Sequence, residues 1–274
     1  MNMALGPDDE RDGIIMAGKK KIGVASENTI SEIQNAKPVG SATGLRVGAI
    51  VLWVLAIACE LVAVLMLFGK IQITFMNTLM ALIILIVLDL VFLVIGSQLW
   101  KKANHIKPAS KKNPVKFWLW NNLGTIVAIL AFVPLIILLL TNKNLDKKTR
   151  MIAVAAAAVA LIIGGVASYD FNPISSEEKD AAMAAISGGV YWTPYGKVYH
   201  THVNDDGSQT KHVNVTNDGK DCPHLNRSDS LTYGSVEEAI AAGRTRLCSY
   251  CAAHDAINTE GIALDGSDTE APAQ

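Results

Sequence analysis

Three cysteines and a histidine near the carboxyl end are of the types that bind metals. Cys248 and Cys251 form a C-x-x-C knuckle in "RTRLCSYCAAH" (244–254), Cys222 stands in "DCPHL" and His200 in "GKVYHTH". Four soft or borderline ligands suit a tetrahedral zinc ion, and the C-x-x-C spacing lets two sulfurs meet one ion. Such a site is closed and offers no position to a substrate, so the expected role of zinc is structural. His202, His212, His224 and His254 are alternates for the nitrogen ligand. The rival reading is a disulfide, which needs an oxidising compartment and would leave one of these three cysteines unpaired. A redox knuckle of the thioredoxin kind lacks its surrounding βαβ pattern. The fourth cysteine, Cys59, lies in an apolar run.

Local signals suggest how these residues are delivered. "VYWTPYGKVYH" (190–200) reads as strand, Pro-x-Gly turn, strand, and carries His200 at its end. "GSVEEAIAAG" (234–243) reads as a helix with Ser235 as N-cap, Glu238 completing a capping box and Gly243 as the stop. The segment 170–188 predicts a short linker helix that starts at Ser-Ser-Glu-Glu and ends before Gly188 and Gly189. Few large apolar residues remain in 189–254, and a domain so small needs a staple, which zinc would supply. The acidic stretch 255–274, poor in large apolar residues, is expected to be disordered.

With these residues in place, 190–251 resembles the Ada-type zinc-binding module, in the form found appended to bacterial nucleases and membrane proteins. The shared pattern is an aromatic, a His or Cys, a Cys, a helix with "EA…G" and a final C-x-x-C. The resemblance implies a small α+β domain with His200, Cys222, Cys248 and Cys251 as metal ligands. In the DNA-repair member, a methyl-accepting cysteine occupies the position of His200, so that chemistry is not implied here. The family's gap between the first two ligands is only a few residues. Here 201–221 intervene, with "HVNDDGSQTK" and "HVNVTNDGKD" reading as a tandem repeat that forms an extra hairpin. Basic residues do not outnumber acidic ones in 190–251, so nucleic acid is not an expected partner.

The rest of the chain differs in character. Half of all residues are hydrophobic and 18% are charged, and the apolar ones concentrate in runs at 45–68, 75–100, 117–140 and 151–169. Each is about long enough to cross a bilayer, which takes roughly 20 apolar residues. "MALIILIVLDLVFLVIG" lacks the polar stripe of a soluble amphipathic helix. The fourth run is rich in Ala and Gly, which let helices approach closely. The fold class expected is therefore a membrane all-α region of four transmembrane helices at 45–169, plus a small α+β zinc-stabilised domain at 189–254. Residues 1–44 read as a polar, disordered tail rather than a cleaved signal.

Lys37 and Arg46 flank the first run, and Lys101, Lys102, Lys107, Lys111, Lys112 and Lys116 cluster in or beside the second loop. Against these stand Lys70 in the first loop and Lys143, Lys147, Lys148 and Arg150 in the third. The excess places the amino terminus and the carboxyl domain in the cytoplasm of a multi-pass cell-membrane protein.

Glu60 and Asp89 lie inside the first and second runs, where an ionised group is costly. As a functional pair they would form a proton or cation path. Counted from the shared first loop, their depths differ by roughly 9 Å, and the plainer reading is a protonated carboxyl bonded to a neighbouring helix. With no nucleophile–base motif and no phosphate-binding glycine loop, the expectation is not an enzyme. It is a membrane-anchored binding or regulatory module whose partners are the bilayer and an unidentified protein or ligand. The alternative is a small transporter or channel subunit using Glu60 and Asp89.

Overall fold

The four apolar runs form helices in the computed structural model, which describes residues 32–72, 74–201, 222 and 230–266. They are α1 (Ala42–Leu67), α2 (Thr78–Ile106), α4 (Leu123–Thr141) and α5 (Lys147–Ser168), all long and apolar enough to cross a membrane. Asparagine and serine side chains start the first two: Ser41 Oγ accepts from the Gly44 amide and Asn77 Oδ1 from the Met80 amide. A short helix, α3 (Pro114–Asn121), precedes α4 and is separated from it by Asn122. At 1.5 Å per residue, α2 is about 44 Å long, well beyond the roughly 30 Å of a bilayer core. Its last turns therefore stand clear of the apolar bundle and carry Lys101, Lys102 and His105.

Small residues set the helix contacts. Ala42, Ala49, Ala56 and Ala63 recur every seventh residue along α1, and all four are buried. On α5 the buried seam is Ala153, Ala157, Ala160 and Gly164. Leu82, Leu93, Phe132, Leu135 and Leu139 from α2 and α4 fill the space between. Val54, Ile57, Val87, Leu130, Ile137 and Ile162 stay exposed, an apolar jacket on helices whose inside is already packed.

The remaining elements form the carboxyl-terminal domain. They are α6 (Ser176–Ala185), β2 (Val190–Trp192), β3 (Val198–Tyr199), β4 (Ser230–Gly234), α7 (Val236–Ala241), β5 (Arg246–Leu247) and α8 (Ser249–His254). The first strand, β1 (Glu32–Asn35), comes from before α1 and pairs in parallel with β4, while β2 pairs with β4 antiparallel, giving the order β1-β4-β2. A second, two-stranded parallel sheet joins β3 to β5. The expected capping box of Ser235 with Glu238 is formed on α7, and a second one, Ser175 with Glu178, starts α6. Gly243, at φ +85°, makes the left-handed stop after α7.

Two stretches expected to be disordered are built in. In the amino-terminal tail, 32–35 is a strand of the domain's sheet. In the carboxyl tail, 255–266 packs Ile257, Ile262 and Leu264 against the core of Trp192, Tyr199, Val236, Ile240 and Leu247. The Leu247 amide donates to Ala263 O at 2.8 Å, and Leu247 O accepts from Asp265 at 3.0 Å. Three aliphatic side chains within an acidic sequence are enough to hold it, because a core this small takes every apolar group within reach.

The domain is fastened to the end of the bundle. Lys179, 7% exposed, donates to Ile106 O at 2.8 Å and to Glu237 Oε1 at 2.9 Å, joining the last turn of α2 to α6 and α7. The Glu177 carboxylate accepts from the Ser110 hydroxyl and from the Lys111 amide at 3.0 Å. Arg46 donates to Lys107 O at 2.8 Å and lies over the rings of Trp100 and Trp120. The free carbonyls at the end of α2 thus receive cations, as a helix carboxyl terminus favours.

Candidate metal centre

Strand register brings His200 and Cys248 together. Tyr191 and His200 exchange both backbone hydrogen bonds at 2.8 Å, which closes the expected hairpin. β3 then pairs in parallel with β5, Val198 with Arg246 and Tyr199 with Leu247. The next residue on each strand is His200 on one and Cys248 on the other, and the Cys248 amide donates to Tyr199 O at 3.0 Å. Cys248 is also the N-cap of α8, so the three-residue step to Cys251 is one helical turn and returns that sulfur to the same place.

His200, Cys222, Cys248 and Cys251 each contribute one ligating atom, all within 4.8 Å of one another, and all four residues are buried. Cys222 Sγ lies 3.4 Å from His200 Nδ1 and 3.7 Å from Cys248 Sγ, and Cys251 Sγ lies 3.7 Å from His200 Nδ1. A tetrahedral zinc ion with bonds of about 2.3 Å to sulfur and 2.0–2.1 Å to nitrogen sets edges of roughly 3.8 Å between sulfurs and 3.5–3.6 Å from sulfur to nitrogen. The observed edges fall around those values. All three cysteines are free thiols, and 3.7 Å is far beyond the roughly 2.05 Å of a disulfide.

The protonation of the cluster also suits a cation. Cys248 Sγ accepts hydrogen bonds from the Cys222 and Cys251 thiols, which pushes its pKa well down. Cys222 and Cys248 in turn hold the proton on Cys251 and push its pKa well up. Alone, the cluster favours one thiolate, because a second buried anion beside the first is repelled. A dication removes that repulsion and lets every thiol act as a thiolate ligand. A structural core would gain little from an imidazole packed among three thiols.

His254 does not join the cluster: its Nδ1 lies 2.7 Å from Asp255 Oδ1, and Asp255 Oδ2 accepts from Thr201 at 2.6 Å. That carboxylate ties α8 to the residue after His200, a support that the sequence reading missed. His202, His212 and His224, with the expected extra hairpin, lie outside the described residues.

Glu60 and Asp89 are placed apart from this site, inside the bundle. α2 begins at Thr78 rather than at Phe75, so Glu60 lies seven residues from the end of α1 at Leu67 and Asp89 eleven from the start of α2. Their depths then differ by roughly 6 Å, less than the count from sequence. Glu60 is half-buried and Asp89 is 1% exposed. The hydrogen bond expected to a neighbouring helix is not formed, since neither Asp89 oxygen has a partner among the described residues.

Comparison with protein-family models, with curated proteins and with solved structures gives no match.

Proposed function

We propose that the chain is a multi-pass protein of the cell membrane that displays, on its cytoplasmic side, a small domain stapled by structural zinc. The domain serves as a binding or regulatory module without catalysis. The observation that carries this reading is the convergence of His200 Nδ1 and three cysteine sulfurs within 4.8 Å in a buried place. His200, Cys222, Cys248 and Cys251 would hold the ion, which supplies no chemistry beyond cross-linking the hairpin, the loop at 222 and α8. Four protein ligands fill a tetrahedral zinc shell, so no position is left for a substrate. The likeness to the Ada-type module supports the same ligand set, and His200 in place of its reactive cysteine supports a purely structural metal. The lysine-rich end of the bundle, where β1 and the domain also lie, supports the cytoplasmic placement.

The test is the metal content of the full chain, purified in detergent under reducing conditions without added metal. About one zinc per chain, lost on Cys248→Ser, is the expected result. A metal-free chain whose domain is folded to the same degree would overturn the reading. Protease added to right-side-out vesicles should spare the domain if it faces the cytoplasm.

A second reading, a small transporter or channel subunit, is favoured by one observation: the two unpartnered oxygens of buried Asp89. Replacing Asp89 with Asn and Glu60 with Gln should abolish proton or cation flux in vesicles under that reading. An anchored module would show no flux to lose.

A further inference from the structure

Between the sheet of the carboxyl-terminal domain and the end of α2 lies a cavity of about 320 Å³, at the lower end of the roughly 300–1,000 Å³ of small-molecule sites. One row of the β1-β4-β2 sheet forms a wall of it, for Gln34 is in register with Thr232 and Thr232 with Trp192, and all three line the space. An amide, a hydroxyl and an indole thus stand side by side across three strands. Three cations reach the same cavity from separate parts of the chain: Lys37 between β1 and α1, Lys102 on α2 and Arg244 after α7. Glu238 is the one acid among the lining residues, and its Oε2 accepts from the Ser235 amide at 2.8 Å and the Ser235 hydroxyl at 3.0 Å. Three positive charges against one negative leave the walls with an excess of two.

The described residues do not answer these cations. Helix carboxyl termini attract positive charge, but Lys179 already serves Ile106 O, Arg46 serves Lys107 O and Arg244 serves Ala242 O. The side chains of Lys37 and Lys102 are exposed and have no ion pair or hydrogen bond with any described residue. Arg244 also donates to Thr193 O at 2.9 Å and to Pro194 O, so its guanidinium meets only neutral carbonyls, and its Nε is buried without a partner. Burial pushes the Arg244 pKa down. A cation drawn from water without a counter-ion is costly, and an anion in the cavity removes that cost.

We propose that this cavity binds the phosphate monoester of a small, hydroxyl-bearing soluble molecule, with the phosphate among Lys37, Lys102 and Arg244 and the remainder over Gln34 and Thr232. A phosphate monoester carries about −1.5 to −2 charges at neutral pH, which matches the excess on the walls. A monocarboxylate would leave one cation unmet, and the polar row of the sheet offers hydrogen bonds to hydroxyl groups rather than a path for acyl chains. The site names a ligand for the binding or regulatory module proposed above and rests on that reading. Lys102 belongs to the bundle and Arg244 to the domain, so an ester held by both ties one to the other.

The experiment titrates the detergent-purified full chain with ribose 5-phosphate by calorimetry. Saturable binding of one molecule per chain is expected, weakened roughly thirtyfold by Lys37→Gln with Lys102→Gln, about fivefold for each lysine lost. Both side chains are exposed, so the variant keeps the fold. Lys143→Gln with Lys148→Gln, the same charge change at the opposite end of the bundle, should leave binding unchanged. Equal weakening by both pairs, equal affinity for gluconate, or no saturable binding would each overturn the proposal. Retention of phosphatidic acid without ribose 5-phosphate would move the phosphate to a lipid and overturn the soluble occupant. A zinc-loaded chain that takes no ester would sink this site alone, whereas a metal-free chain with its domain folded would sink the module reading.

Discussion

Replacing Lys179 with Met should loosen the carboxyl-terminal domain from the bundle while leaving both folded. Methionine keeps the aliphatic stem that packs in the interface and removes only the charged head. Two interactions go with it. The bond to Ile106 O, at 2.8 Å, comes from a charged donor to a helix-terminal carbonyl in a mostly buried place, a type worth about 1.5–3 kcal/mol. The contact with Glu237 is worth less, because that carboxylate is 43% exposed and water replaces the lost partner, which puts it at about 0–1 kcal/mol. The loss should therefore be about 2 kcal/mol, or roughly a thirtyfold increase in domain opening. Native-state hydrogen exchange of the full chain reads this directly: amides of α6 and α7 should exchange roughly thirtyfold faster, with α4 and α5 unchanged. Glu237→Gln is the comparison, and should accelerate the same amides by less than about fivefold. Equal acceleration by the two variants would refute the reasoning, since it would make the ion pair, and not the capped carbonyl, the main contact.

Three further outcomes are expected. Chelating the metal should abolish exchange protection in β2, β4 and β5 while α1, α2, α4 and α5 keep theirs, because only the domain depends on the cluster; protection that survives a metal-free state would count against a structural ion. Gly124→Val should lower the thermal midpoint of the detergent-solubilised chain, since a Cβ there would stand 2.3 Å from Ser97 Oγ and 2.7 Å from Ser97 Cβ, an overpacking cost of about 1–3 kcal/mol. Gly165→Ala, with nothing within 4 Å, should not. The bonds from Ser110 and Lys111 hold the Glu177 pKa at about 2, below the ordinary carboxylate value. Their contribution is present above that ordinary value and fades as the pH falls toward 2. Protection of the Lys111 amide should follow that course and be pH-independent over the same range in Glu177→Gln.

What the sequence showed and what it hid divide along the range of the interaction. Local signals were reliable: the Ser235–Glu238 box, the Pro-x-Gly turn before His200, and the C-x-x-C whose spacing is one helical turn. The four apolar runs were legible by length, though α2 runs on to Ile106 because a helix does not end where hydrophobicity does. The seven-residue alanine repeat of α1 was there to be read, and it marks the face that packs on α2. Pairings over long distances left no such mark. Glu32–Asn35 gives no local reason to be a strand, and becomes one only because β4 offers an open edge. Likewise Ile257, Ile262 and Leu264 looked too sparse to order their segment, and only the position of the core explains why they do. The His200–Cys248 adjacency follows from a parallel register between short strands, which composition cannot specify.

The pairing of β1 with β4 bears on how the chain is made. β1 precedes the first long helix and β4 follows the last, yet β4 lies between β1 and β2 in one sheet. Strands join only when they lie about 4.8 Å apart, so under the proposed membrane reading the sheet needs β1 and β4 on one side of the bilayer. An even number of crossings achieves that, whereas a chain in which one helix failed to insert would leave β1 across the membrane from its partner. β4 would then be an uncovered edge, the kind of surface that aggregates or is captured during quality control. β1, which precedes the four long helices, waits for a partner that follows them, and under that reading the finished sheet records that insertion ran to completion.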